Sequence, residues 1–165
     1  MDIKFDTIKK LNAADTVKEN MGVYQQYLVQ SKLPHPIDGL KDVTRRAIYV
    51  MSTKKDTIKF TQFIASIMEM HPHGDSSIKG AVERLFRTHD VTIPLITATG
   101  NSGSYTKECA AARYLNVTSS EFARDLFFNN IHSSTIPMRY TVEYDMFEPK
   151  YFIPRLPTAL LIGNL

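Results

Sequence analysis

The sequence predicts an α+β fold, because helical and strand-like patterns occupy different parts of the chain. Through most of the first 90 positions, apolar residues recur every three or four residues, which is the spacing of amphipathic helices. Two β-rich runs follow, TIPLITATG at 92–100 and ARYLNVT at 112–118. With 165 residues, 43% of them hydrophobic, the chain is long enough for one full-sized domain with an apolar core.

Composition limits the classes of protein to which the chain can belong. The net charge of +3 is too small to indicate nucleic-acid binding unless the basic residues cluster. The single cysteine, Cys109, excludes an internal disulfide and suits a reducing compartment. No run of about 18 apolar residues is present, and the charged N-terminus does not resemble a signal peptide. We therefore expect a soluble cytoplasmic protein that does not span a membrane.

Helical segments alternate with polar breaks in the first half of the chain. One or two helices are predicted over 5–31, and the prolines and glycine of 32–41 predict an extended connector. Further helices are predicted from Asp42 onward, over 58–70 and over 76–88. The apolar faces of the four segments consist of Met21, Tyr24 and Leu28; Val43, Ala47, Val50 and Met51; Phe60, Phe63, Ile64, Ile67 and Met68; and Ile78, Val82 and Leu85.

The last two of these helices, joined by the polar loop HPHGDSS at 71–77, have the outline of a helix-turn-helix. The second helix is basic, with Arg84 and Arg87 on its exposed side, and Asp75, Ser76 or Ser77 can cap its first turn. An ordinary pair of amphipathic helices without any DNA-binding role gives the same pattern and is the commoner case.

The C-terminal third combines one further helix with an irregular tail. Thr118 and Glu121 match a capping box, which predicts a helix over 119–128. The tail has strand-like residues interrupted by four prolines, and no partner strand is evident for it within the chain.

His71 and His73 form an H-x-H pair that is compatible with two kinds of site. Such a pair can bind a metal, but only with further ligands, which no fitting spacing supplies. Both imidazoles can instead donate hydrogen bonds to a phosphate, close to Gly74 and a helix N-terminus that favours anions. The phosphate interpretation fits these residues better than zinc.

Six basic residues lie on or beside the predicted helices and the central loop. Each alone is a solvated surface charge in the simplest interpretation, whereas together they would form a surface that follows phosphates with salt-sensitive affinity. These residues are Lys41, Arg45, Arg46, Arg84, Arg87 and Arg113.

Tyr114 is either a packed aromatic residue or a nucleophile. A phenol, with a pKa of about 10, is a weak nucleophile at neutral pH and attacks a phosphodiester only where cations stabilise the developing charge. Arg113 directly beside it meets that need in part, and a metal ion would meet the rest. Three preceding alanines, 110–112, leave room for a large substrate.

Four motifs, in this order and spacing, give the chain a specific resemblance. LPHPIDGLKDVTRR (33–46), HPHGDSS (71–77), GNSGS (100–104) and AAARY (110–114) resemble the breakage-reunion region of type IIA DNA topoisomerases. The similarity is to the A subunit of bacterial gyrase and topoisomerase IV and its phage counterparts, and it covers about Tyr27 to Leu165.

The resemblance implies a three-part organisation. It implies an N-terminal helical arm (1–31), a winged-helix domain of the catabolite-activator type (32–128) and the start of a tower domain (129–165). The helix from about Ser76 would take the recognition position.

The resemblance also implies roles for individual residues. Tyr114 matches the tyrosine that forms a reversible 5′-phosphotyrosyl link, Arg113 the arginine that stabilises the scissile phosphate, and His73 a histidine close to catalysis. The positions implied to line the DNA-binding surface are Lys41, Arg45, Arg46, His71, Ser76, Arg84 and Arg87.

The partners implied are double-stranded DNA, a second copy of the chain in a homodimer, and a B-type subunit. Mg²⁺ would be held by the Toprim domain of that partner and ATP by its ATPase domain, so no metal site is expected in this chain. Glu143 and Asp145 resemble no Toprim motif. Since the resemblance places the end of the sequence short of the remaining tower, we expect either an excised fragment or one piece of a split gene product, as in a compact phage genome.

Departures from the family pattern leave other interpretations open. Thr44 replaces a histidine, and Gly80 replaces the acidic residue that, with Ser76, anchors quinolones. One alternative is a non-catalytic DNA-binding fragment, which would tolerate Tyr114→Phe. Another is a metal-dependent phosphoesterase that uses His71 and His73, which would carry stoichiometric metal.

Overall fold

The computed structural model describes residues 12–54, 56–71, 74–129, 135–142, 145–158 and 161. Within them the α+β prediction is confirmed. The helices are α1 (Ala13–Lys32), α2 (Asp42–Thr53), α3 (Phe60–Met68), α4 (Asp75–Phe86) and α5 (Glu121–Phe127). The strands are β1 (Ile58–Lys59), β2 (Ile96–Thr99), β3 (Asn116–Ser119), β4 (Met138–Thr141) and β5 (Met146–Pro149).

The chain divides into two compact units, 1–33 and 34–165. Helix α1 belongs to the first unit, and its N-cap is Asn12, whose side chain accepts a hydrogen bond from the Ala14 amide at 3.1 Å. Met21 and Tyr24, on its predicted apolar stripe, are about half exposed. None of the described helices is long and apolar enough to cross a membrane.

Helices α2, α3 and α4 form the centre of the second unit because each buries one apolar face. The predicted faces are confirmed in most positions, with Ala47, Phe63 and Ile78 fully buried. Met68 is an exception, since it lies 44% exposed at the last turn of α3 while Ile67 occupies the core.

A small antiparallel sheet with strand order β1–β3–β2 covers this helical core. Val117, at the centre of β3, pairs with Ile58 on one side and with Ala98 on the other, and it is fully buried. Strands β2 and β3 are consecutive in the chain and are joined by the long loop 100–115. This loop carries two of the four motifs.

The first of the two predicted helix caps is confirmed in part, because Asp75, one of the three candidates, accepts from the first turn of α4, whereas the second cap differs. The N-cap of α4 is Gly74, and the Asp75 carboxylate accepts a hydrogen bond from the amide of Ser76 at 2.8 Å. The N-cap of α5 is Ser120, whose hydroxyl accepts from the Ala123 amide at 3.1 Å. Thr118 cannot take that role because it is paired within β3.

The tail does have a strand pair, so the expectation that it lacks a partner strand is wrong. Strands β4 and β5 pair antiparallel with each other, from Met138 opposite Pro149 to Thr141 opposite Met146. The turn between them includes Asp145 with φ of 51°. Proline is accommodated because Pro149 ends its strand.

Candidate functional site

Tyr114 lies on a short 3₁₀ turn, Ala112–Tyr114, and not in the strand that the sequence predicted. The turn closes through the amide of Tyr114, which donates to the carbonyl of Ala111 at 2.9 Å. The next residue, Leu115, is fully buried, and its carbonyl accepts from the Phe60 amide at 3.0 Å. The tyrosine side chain itself is 69% exposed, which excludes the packed-aromatic interpretation in this structure.

Two of the predicted catalytic residues, Arg113 and Tyr114, are in contact, because the Arg113 guanidinium lies over the ring of Tyr114. The guanidinium carbon lies 5.8 Å from the centroid of the phenol ring, and both side chains are exposed. A cation and a phenol are therefore presented together to solvent, where a phosphate can reach both.

Gly100, the first glycine of GNSGS, lies directly against the backbone of Tyr114 and Leu115, which explains why a glycine is needed there. Its φ of 117° is a conformation that only glycine adopts easily. A Cβ atom there would lie 2.9 Å from Leu115 Cδ2 and 3.0 Å from the Tyr114 carbonyl oxygen. The backbone at 114–115 can approach this closely only because position 100 lacks a side chain.

Gly103 has a similar role further along the loop. Its φ is 88°, and a Cβ atom would lie 3.1 Å from the amide nitrogen of Cys109. Asn101 joins the two sides of the loop, because its carbonyl accepts from the Ala110 amide at 2.9 Å. The segment leading to Tyr114 is thus held against the glycine motif by backbone contacts.

Arg45 does not lie on an open surface, so the expectation of a solvated charge is wrong. It is 2% exposed and makes two hydrogen bonds to Asp38, at 2.7 and 2.9 Å. A third bond, of 2.6 Å, joins it to Asp42. Asp38 also accepts from the amides of Leu40 and Phe152 at 3.0 Å, so this pair fixes the connector before α2.

Arg46 is likewise buried and paired, which corrects the same expectation. Its guanidinium lies 2.5 Å (Nε) and 3.1 Å (Nη2) from the two oxygens of Glu148. Its third nitrogen, Nη1, contacts Nδ1 of His71, and His71 is 9% exposed. These two DNA-surface candidates are therefore in contact with each other.

Glu148 also binds two groups besides Arg46. Arg139 Nε and Thr141 Oγ1 each donate to it at 2.8 Å, while Arg139 also reaches Asp42 at 3.0 Å. Burial would raise the pKa of Glu148, but the hydrogen bonds and positive charge of Arg46, with Thr141 and Arg139, lower it to about 2.

The remaining predicted positions differ in accessibility. Ser76 and Arg84 are exposed on α4, and Lys41 is half-buried at the start of α2. Arg87 is paired with Glu83 at 2.6 Å, so its charge is partly neutralised. His73 lies outside the described residues, as does Glu143.

Tyr114 and His71 are placed at opposite ends of α3. The residue after Tyr114 bonds to the first residue of α3, whereas His71 follows the last turn of that helix. A nine-residue helix is about 14 Å long. The structure therefore brings Arg113 to Tyr114 and Arg46 to His71, but it does not bring the two groups together.

Sequence reasoning missed the acids that organise the basic residues. Asp38 had a usable signal, since it stands seven residues before Arg45 within a recognised motif. Glu148 had none, because 102 residues separate it from Arg46. Among the described residues, no group of three or more His, Cys, Asp or Glu is arranged to hold a metal ion.

Comparison with known proteins connects this geometry to a family. The family model for the A subunit of DNA gyrase/topoisomerase IV matches residues 32–165. The chain is 32% identical to the A subunit of DNA topoisomerase 4 from Streptococcus pneumoniae over 165 residues, covering 95% of this chain and 20% of that protein. The Staphylococcus aureus protein of the same name is 30% identical over 167 residues, which are 96% of this chain and 21% of the relative.

The chain spans about a fifth of the length of the curated relatives that it matches. The match nevertheless covers the connector, the helical core, the loop with Tyr114 and the β4–β5 hairpin. From the shared sequence and the α+β architecture, the chain belongs to the family of DNA gyrase/topoisomerase IV A subunits, which are type IIA DNA topoisomerases, and it corresponds to the N-terminal region of those proteins.

Proposed function

We propose that the chain carries out DNA cleavage and rejoining in a type IIA topoisomerase, with Tyr114 as the nucleophile. The observation that carries this proposal is the exposed phenol beside Arg113, on a turn anchored by Leu115 and Gly100. Attack on a phosphodiester requires a nucleophile in a defined position with a cation beside it, and this turn presents both groups together.

The proposed reaction is a reversible transesterification. The Tyr114 phenol loses its proton, and its oxygen forms a bond to the phosphorus atom. The bond from phosphorus to the DNA 3′ oxygen breaks, and that oxygen takes up a proton to leave a free 3′-hydroxyl. The 5′-phosphotyrosyl link retains the energy of the broken ester, so the reverse reaction reseals the strand without another energy source.

Arg113 is proposed to stabilise the charge that develops on the phosphate during this reaction. Its guanidinium can donate two hydrogen bonds to one phosphate group. Its exposed position at the phenol ring supports that role.

The proposed architecture is a winged helix over 32–128, between a helical arm at 1–31 and the start of a tower domain from 129 to 165. The order α2, β1, α3, α4, β2, β3 and the sheet order β1–β3–β2 support it. Helix α4 takes the recognition position, where Ser76 and Arg84 contact phosphates together with Lys41 and His73. Arg45 and Arg46 act indirectly, because their guanidinium groups bind acids.

The proposed assembly is a cytoplasmic homodimer on double-stranded DNA with a B-type partner subunit. Within one chain, Tyr114 and His71 lie at opposite ends of α3. This separation supports a cleavage site to which other subunits contribute residues. The partner's Toprim domain would hold Mg²⁺, which supplies charge stabilisation, and its ATPase domain would bind ATP for strand passage.

A covalent-trapping experiment tests the proposed reaction. Tagged chain is mixed with an extract of the cells that produce it, Mg²⁺ and labelled duplex DNA, and then denatured. We compare wild type, Tyr114→Phe and the matched control Tyr105→Phe, whose tyrosine lies on the same loop and is 87% exposed. We expect labelled protein from wild type and Tyr105→Phe but not from Tyr114→Phe.

Two results would contradict the proposal. Labelled protein from Tyr114→Phe would show that another residue is the nucleophile. No label from any of the three, with duplex binding intact, would identify the chain as a DNA-binding fragment without cleavage chemistry.

A further inference from the structure

The buried carboxylate of Glu148 belongs to the β4–β5 hairpin, outside the motifs that carry the proposed chemistry, yet it contacts them through Arg46. Glu148 is 2% exposed and Arg46 is 7% exposed. Both Glu148 oxygens bind the guanidinium, at 2.5 and 3.1 Å. A planar guanidinium held at two nitrogens has its third nitrogen directed by geometry.

That third nitrogen, Nη1, contacts Nδ1 of His71. Arginine has five N–H donors and no acceptor, so the imidazole nitrogen in this contact must accept. An accepting Nδ1 carries no proton, and the proton of the neutral ring is then on Nε2. The contact therefore selects one of the two tautomers of His71.

The surrounding charges favour the same neutral state. Ion pairs connect three acids, Asp38, Asp42 and Glu148, with three arginines, the buried Arg45 and Arg46 and the partly exposed Arg139. A protonated imidazole would place a second positive charge directly against the guanidinium of Arg46, although both side chains are buried.

We propose that Glu148 is a positioning residue which, through Arg46, holds His71 as the neutral tautomer with its proton on Nε2. His71 then adds no positive charge to the DNA-binding surface. Instead it is held in place after the last turn of α3, where the HPHGDSS motif begins. The tautomer rests on geometry alone, whereas its importance for cleavage rests on the proposed function.

Nitrogen-15 NMR of the histidine rings reads the tautomer directly, and a His71→Gln variant assigns the signal among the five histidines. We expect wild-type His71 to show an unprotonated Nδ1 and a protonated Nε2 at neutral pH. In Glu148→Gln the signals should move towards the averaged pattern of a free imidazole, because the neutral amide no longer fixes Arg46. The control Asp145→Asn, on the same hairpin, should match wild type.

Arg46→Lys provides a second test that keeps the buried charge unchanged. A single ammonium group cannot hold both oxygens of Glu148 and reach His71 in the same planar geometry. We expect the tautomer preference to be lost here too, so the inference remains testable if Glu148→Gln does not fold. A protonated Nδ1 in the wild type, or an unchanged His71 signal in a folded Arg46→Lys or Glu148→Gln variant, would overturn the inference.

Covalent trapping separates this inference from the proposed function. If the inference about Glu148 and the proposed function are both correct, Glu148→Gln reduces adduct formation at least tenfold, while Asp145→Asn does not. A folded Glu148→Gln variant with wild-type adduct yield would refute the positioning role in cleavage, even if Tyr114→Phe abolishes the adduct. Adducts from Tyr114→Phe would refute the proposed function, while the NMR result would still decide the tautomer.

Discussion

At the scale of single residues, the sequence was most informative where partners are neighbours in the chain. Arg113 and Tyr114 are adjacent, so their pairing could be predicted, and the structure places them in contact. Arg45 and Arg46 were misread as surface charges because a basic side chain near a helix start is usually solvated. Their acids come from a connector and from a hairpin 102 residues away, which no local pattern reveals.

Gly100→Ala should destabilise the fold and displace Tyr114. The new methyl group would meet the carbonyl of Tyr114 and the side chain of Leu115, at a φ that alanine rarely adopts. We expect the free energy of unfolding in urea to fall by about 1–3 kcal/mol. Adduct formation should fall as well.

Gly80→Ala is the matched control for that substitution. Position 80 lies within α4, and nothing approaches a Cβ there within 4 Å. Alanine in a helix should raise the free energy of unfolding by about 0.5–1 kcal/mol. Equal losses of stability in the two variants would contradict the role assigned to Gly100.

At the scale of elements, helices α2, α3 and α4 were predictable because their apolar spacing is a local property. The pairing of β4 with β5 was not, since interrupted strands with prolines carry a weak signal. This hairpin places Glu148 against α2, where its carboxylate binds the buried guanidinium of Arg46. The β4–β5 hairpin, which the sequence did not predict, thus holds Arg46 of the LPHPIDGLKDVTRR motif in a buried ion pair and not on the surface.

The ion pairs of Glu148 in the β4–β5 hairpin predict that the free energy of unfolding decreases at acidic pH. Folding lowers the pKa of Glu148 to about 2 from an ordinary 4.5, so the folded state favours the ionised carboxylate. Its contribution is full above pH 4.5 and is lost as the pH falls towards 2. We expect the unfolding free energy of wild type to decline more steeply across this interval than that of Glu148→Gln.

Chemical unfolding at several pH values measures that difference, with Asp145→Asn as the control on the same hairpin. Parallel pH profiles for wild type and Glu148→Gln would show that Glu148 does not carry the acid sensitivity.

At the scale of the whole molecule, the net charge of +3 gave no indication of DNA binding. What matters is how the cations are distributed between ion pairs and open surface. Arg45, Arg46 and Arg87 contact acids, whereas Arg84 and Arg113 are exposed. Among the arginines predicted to bind DNA, we therefore expect the exposed ones to contribute most to the affinity for duplex DNA.

Arg84→Gln should weaken duplex binding equally for different sequences and reduce the salt dependence. Loss of one phosphate contact lowers the slope of log K against log salt by about 1. Arg124→Gln, an equal charge change at an exposed position on α5, should leave the slope close to wild type. Titrations at several salt concentrations measure both slopes, and identical slopes for the two variants would contradict the proposed surface on α4.

The most direct test of the central claim is to identify the peptide that retains nucleotide after trapping, nuclease digestion and trypsin cleavage. Trypsin separates the two exposed loop tyrosines, because Tyr105 falls in peptide 88–107 and Tyr114 in peptide 114–124. We predict a nucleotide joined through its 5′ phosphate to Tyr114 in peptide 114–124. A nucleotide on any other residue, or one joined through a 3′ phosphate, would contradict the assignment of Tyr114 as the nucleophile of a type IIA reaction.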